Sequence, residues 1–183
     1  MSTIQHPTGS ETSAAVKDRA LTALSVAAYH QVARSAASFS AANKTAVVGL
    51  DGSPGSQAAL RWAAEWATQP GTQIVAVHAV RPSAALVRDI PPMGLVPWRY
   101  NLRRHVAADW CRPLAGSGAP YRVLVADDTA ADALVRVADH HDADLIVIGA
   151  PSAGLSQRLV GSVADRVVRH AHRPVMIVPA ERR

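Results

Sequence analysis

The chain has 183 residues, of which 49% are hydrophobic and only 4% aromatic, and it carries a formal net charge of +5. That length supports one domain with a full core and some sequence to spare, and no apolar run reaches the roughly 18 residues of a membrane-spanning helix. The lone Cys111 rules out an internal disulfide, and the opening stretch MSTIQHPTGSETSAAVKDR lacks the basic-then-apolar order of a secretory signal, so a cytosolic protein is expected.

Residues 1–43 differ in texture from the rest and read as an N-terminal extension. The first dozen are polar and turn-rich, as in unstructured termini. From Ala14 to Phe39, Val16, Leu21, Leu24, Ala28, Val32 and Ala36 recur at near-helical spacing, which predicts a helix.

From Lys44 to Arg183 the text alternates as one domain. Apolar, β-branched runs at Thr45–Leu50, Gln73–Val80, Tyr121–Ala126, Asp144–Gly149 and Pro174–Val178 predict strands covered on both faces. Helical patterns fill the intervals at Pro54–Thr68, Val96–Ala115, Ala130–His140 and Ser162–Ala171. Ser53-Pro54 supplies an N-cap and a first-turn proline, and Thr129 with Asp132 matches a capping box. The stretch 81–97, rich in proline, reads as a long loop. Strand–helix alternation with right-handed crossovers gives an α/β fold, an open five-stranded parallel sheet with helices on both faces.

In such a sheet ligands sit beyond the carboxyl ends of the strands, where strand order reverses and helix N-termini converge. Asp51-Gly52 lies at one such tip. Gly149 closes the fourth strand, and Gly161-Ser162 opens the last helix. If the first and fourth strands are neighbours, Asp51 and Gly149 face each other across one crevice. The glycines would let backbone N–H groups approach phosphate, while the acid reaches a ribose hydroxyl or a metal. Equally, Gly149 and Gly161 could serve only a tight turn and a close helix–strand contact.

Four segments, VVGLDGSPGSQAALRWAAEWA, VAVHAV, DADLIVIGA and LVGSVADRVVRHAHRPVMIVP, together resemble the universal stress protein family over about residues 44–180. The resemblance implies a Rossmann-like sheet of strand order 3-2-1-4-5, counted from Thr45–Leu50. It also implies a stress-response regulatory protein that binds ATP, alone or with Mg2+. The contacts it implies are Leu50, Asp51, Gly52, Ser53, Ala79, Ile148, Gly149, Ser152, Gly154, Gly161, Ser162 and Val163. A homodimer through the last strand (Val175, Met176, Ile177, Val178) is implied as well.

The glycine loop departs from the family's pattern of Gly, two residues, Gly, nine residues, Gly, then Ser or Thr. Ser152 stands at the second glycine, the following interval is one residue short, and Pro151 removes a backbone donor. The alternative is therefore a dimeric interaction module of the same fold that no longer binds nucleotide.

Other chemistries fit less well. Asp51-Gly-Ser-Pro-Gly55 nearly spells a nucleophile elbow, but Pro54 has no N–H for an oxyanion hole. No Walker loop or dinucleotide fingerprint is present. His140, His141, His170 and His172 lack the spacing of a known zinc site, and no nucleophile–base pair marks an enzyme. His78 is expected to pack at the end of the second strand. From Arg158 onward six arginines face two acids, a net +4 that reads as a solvated face rather than a nucleic-acid surface.

Overall fold

The computed structural model describes residues 29–34, 44–81, 100–151 and 161–180. In chain order these are strand β1 (Tyr29–Arg34), β2 (Lys44–Gly49), helix α1 (Pro54–Trp66), β3 (Thr72–Ala79), a helical run α2 over 100–115, β4 (Tyr121–Ala126), α3 (Ala130–His140), β5 (Leu145–Gly149), α4 (Ser162–His170) and β6 (Val175–Val178). Among these residues no helix is long and apolar enough to cross a membrane.

One sheet carries all the strands in the order β1-β4-β3-β2-β5-β6. Strands β2 to β6 pair in parallel and reproduce the expected 3-2-1-4-5 order. The side-chain alternation of β2 explains why its run is apolar throughout. Ala46 and Val48 enter a core layer with Leu60 of α1 and Leu114 of α2, while Val47 enters the opposite layer with Leu134 of α3 and Val167 of α4. All three β2 residues are completely buried. Burying a side chain of the size of Val or Leu stabilises by about 1.5–3 kcal/mol, and the two layers clamp the sheet between helix pairs.

Residues 29–34 correct the expectation of a helix over 14–39. They form β1, antiparallel to β4, with a bulge that leaves Val32 extra between Gln31 and Ala33. Four-residue spacing of apolar groups records only the local pattern. An open edge at β4 presents unpaired N–H and C=O groups, and pairing with them outweighs a weak helical preference. The remaining residues of the expected helix lie outside the described ones, as do 82–99 of the expected loop and start of α2.

The helix caps follow the expected chemistry. Ser53 Oγ accepts from the Ser56 N–H at 3.2 Å. Thr129 Oγ1 accepts from the Asp132 N–H at 3.3 Å and donates to the Asp132 carboxylate at 2.6 Å. The Thr129 N–H, which a full capping box would give to the acid at 132, goes to Asp128 instead at 2.7 Å. Helix α2 departs from a simple helix, widening into a π-turn at Val106–Trp110. On the basic segment Arg166 pairs with Asp132, Arg169 with Asp165 and Arg173 with Asp142. Such exposed pairs each contribute about 0–1 kcal/mol and belong to a solvated charged face.

Candidate functional site

Strand order reverses at β2, which sends its chain to β3 on one side and pairs with β5 on the other. Beyond the carboxyl ends of these strands lies a cleft of about 380 Å³. That volume falls in the range of small-molecule sites, about 300–1,000 Å³.

One wall is the turn after β2. Gly52 takes φ +80°, a left-handed conformation that suits glycine, and it lets the Asp51 carboxylate fold back onto the Ser53 N–H at 2.9 Å. The Asp51 N–H points to Ser56 Oγ at 3.4 Å, and that hydroxyl donates to the Ser53 carbonyl at 3.0 Å. Partial burial alone would raise the Asp51 carboxyl. Hydrogen bonding from Ser53, with smaller contributions from Ser56 and from the imidazolium that His78 becomes in acid, outweighs it and holds the group below the ordinary carboxylate value.

His78, at the end of β3, forms the floor beside this turn. Its Nδ1 lies 2.8 Å from the Leu50 carbonyl, which can only accept, so Nδ1 carries the proton and Nε2 is left as an acceptor. Burial pushes its pKa below the ordinary histidine value, against the opposing effects of the Leu50 carbonyl and Asp51. The ring is therefore neutral at pH 7. Trp110 meets it edge-to-face at 5.0 Å and lies over Gly52, where a Cβ would fall 2.5 Å from the indole.

The opposite wall comes from β5 and α4. A Cβ on Gly149 would stand 2.1 Å from the backbone carbon of Gly55, and one on Gly55 would stand 2.1 Å from the Ala150 carbonyl oxygen. Neither position admits a side chain, because the first turn of α1 rests directly on the end of β5. Gly161, at φ +31°, opens α4 and lies against the ring of Pro151. Ala130 brings the N-terminus of α3 to the same cleft, beside the start of α4, which has no side-chain cap.

Of the expected contacts, Leu50, Asp51, Ser53, Ala79, Ile148, Gly149, Gly161, Ser162 and Val163 line this one cleft. Gly52 supports the wall from beneath Trp110 instead. Ser152 and Gly154 lie outside the described residues. Ser56, Val77, His78, Ala130, Leu134 and Pro151 also line the cleft and were not anticipated there. The Thr129 cap was the available signal for Ala130, since a helix start after a strand end falls on this edge of the sheet. Cys111 is buried, and burial pushes its thiol up to about 12. Among the described residues no group of three His, Cys, Asp or Glu side chains could hold a metal ion.

A model of the universal stress protein family matches residues 42–179. The chain belongs to the universal stress protein family. It is 35% identical over 140 residues to the universal stress protein Rv2623 of Mycobacterium tuberculosis, a match that covers 74% of this chain and 47% of that protein. The chain thus spans about half the length of the first curated relatives it matches. Among solved structures, a universal stress protein family member from Burkholderia pseudomallei superposes with a TM-score of 0.56 at 30% identity, covering 75% of this chain and 96% of that one. The universal stress protein from Archaeoglobus fulgidus in complex with dAMP superposes with a TM-score of 0.50 at 28% identity, covering 74% and 97%.

Proposed function

We propose that this universal stress protein is a regulatory module that binds an adenine nucleotide in the cleft between the ends of β2 and β5. The observation that carries the reading is the pairing of an ionised Asp51 on one wall with the Gly161–Ser162 helix start on the other. An acid at one end suits the hydroxyls of a ribose. Backbone N–H groups at the N-terminus of α4 suit a phosphate. The dAMP complex of the Archaeoglobus protein, which shares this fold, supports the same ligand class. Leu50, Val77 and Ile148 offer apolar surface to a base, and the backbone at Ala79 would meet its polar edge. ATP, alone or with Mg2+, would extend from there past Pro151. The role requires no catalytic residue: ligand state would act by changing contacts with a partner or a second copy.

Calorimetric titration of AMP and of ATP, with and without Mg2+, into wild type, Asp51→Ala and Gly161→Val tests this reading. Saturable wild-type binding that both substitutions weaken is expected. No heat at millimolar nucleotide would end it.

A second reading, a dimeric interaction module without nucleotide, draws on the Gly149–Gly55 contact. That contact accounts for Gly149 by packing alone. In it the outer strand β6, whose Val175, Met176, Ile177 and Val178 are only half-buried in the single chain, would pair with its copy across a two-fold axis.

A further inference from the structure

Helix α2 contributes nothing to the lining of the cleft, yet its π-turn is aimed at the cleft's wall. π-turns inside helices are rare and frequently mark functional sites, because the extra residue redirects the side chains that follow. Here the turn spans Val106–Trp110 and is anchored by buried groups, Val106 at its start and Cys111 and Leu114 after it.

The redirected residue is Trp110. A Cβ placed on Gly52 would lie 2.5, 2.7 and 2.8 Å from the indole Cε2, Cζ2 and Nε1. The ring therefore occupies the space that a side chain would take at that position, directly on the backbone of the Asp51 turn. The Trp110 carbonyl accepts from Gln57 Nε2 at 3.1 Å, which fastens it to the first turns of α1. Its ring meets His78 of β3 edge-to-face at 5.0 Å and His105 of its own helix at 5.3 Å. One half-buried residue thus touches the turn, α1 and β3 together. An ordinary core tryptophan would bury itself between side chains and leave the turn alone.

We propose that Trp110 is a positioning residue: its indole locks the left-handed Gly52 turn and so fixes the Asp51 carboxylate at the mouth of the cleft. Glycine is the residue with the most backbone freedom to lose, so an uncovered turn at this point would sample other conformations and carry Asp51 with it. Ser56 ties the Asp51–Ser53 pair to the start of α1, and the Trp110 indole packs on the turn's remaining residue, Gly52. The ligand part of this inference rests on the nucleotide reading; the placement of Asp51 does not.

The test is the titration of Asp51, followed by carboxyl-carbon NMR in wild type, Trp110→Leu, Trp110→Phe and Gly52→Ala, beside AMP calorimetry on the same proteins. Trp110→Leu keeps apolar bulk and should raise the Asp51 midpoint toward the ordinary carboxylate range while weakening AMP roughly tenfold, a typical size for coupling between groups that do not share a contact. Trp110→Phe should restore most of both. Gly52→Ala, which collides with the indole, should perturb Asp51 as Trp110→Leu does. An Asp51 midpoint unchanged in Trp110→Leu and in Gly52→Ala overturns the positioning role, whatever AMP does. Shifted midpoints in a protein whose wild type takes no AMP would uphold it and remove the nucleotide reading instead.

Discussion

Gly149 and Gly55 meet backbone to backbone: a Cβ on the first would stand 2.1 Å from the carbonyl carbon of the second and 2.4 Å from the amide nitrogen of Ser56. This contact sets α1 onto the end of β5 and fixes the width of the cleft between Asp51 and Gly161. The substitution Gly149→Ala must push the helix start away, since the obstructing atoms are backbone and cannot swing aside. Overpacking of this kind costs about 3 kcal/mol, and the melting temperature should fall by about 10 °C. Gly116→Ala is the matched control. At φ −94° with nothing within 4 Å of its Cβ, it should stay within about 0.5 kcal/mol of wild type. Urea and thermal unfolding of the two variants check the contrast.

Acid should unfold the protein in two stages. His78 and His140 both have pKa values lowered by burial, so the unfolded chain binds protons more readily than the folded one as pH drops below 6.5. Stability rises with pH through that window and is lost as pH falls toward their folded values. Asp51 acts lower. Its folded pKa lies under the ordinary 3.8, so its contribution is complete above that pH and disappears as pH falls through the folded value. Urea midpoints measured from pH 2 to 8 should show both slopes. Asp51→Asn should reduce the lower one, and His78→Gln should reduce the upper.

Cys111 should be inert in the native protein. With its thiol pushed up to about 12 by burial, almost no thiolate exists at neutral pH, and the sulfur is covered as well. A thiol reagent at pH 8 should label it only once denaturant is added. Stoichiometric labelling of the folded chain within minutes would contradict the burial.

The edge strand β1 makes a separate prediction. Its ladder with β4 runs from Tyr29 opposite Ala126 to Arg34 opposite Arg122. Removing residues 1–43 should speed hydrogen exchange at the β4 amides that face β1 and leave those that face β3 protected. The uncovered edge should also promote self-association. Exchange rates unchanged throughout 121–126 would show that the strand does not protect this edge.

What the sequence made legible follows from how each part is stabilised. Strands β2 to β6 could be read because most are covered on both faces, which forces uniformly apolar, β-branched runs that stand out against the polar turns. The cleft residues at Leu50–Asp51 and Gly161–Ser162 could be read because strand tips and helix starts have recognisable local chemistry. The strand at 29–34 could not, since pairing along an edge leaves no such signature and Val32 and Ala36 happen to keep helical spacing. The π-turn that delivers Trp110 to Gly52 leaves no mark in the pattern either. Gly149 was visible but ambiguous: a glycine that admits a neighbouring helix looks the same in sequence as one that admits a phosphate. Only the distance to Gly55 reveals the packing role.

The most direct measurement is backbone amide NMR of the isotopically labelled chain during titration with AMP. The nucleotide account predicts saturable shifts grouped at Asp51, Ala79, Gly149, Gly161 and Ser162, around the ends of β2, β3, β5 and the start of α4. An unchanged spectrum at millimolar AMP, or shifts confined to β6 and away from these residues, would contradict it.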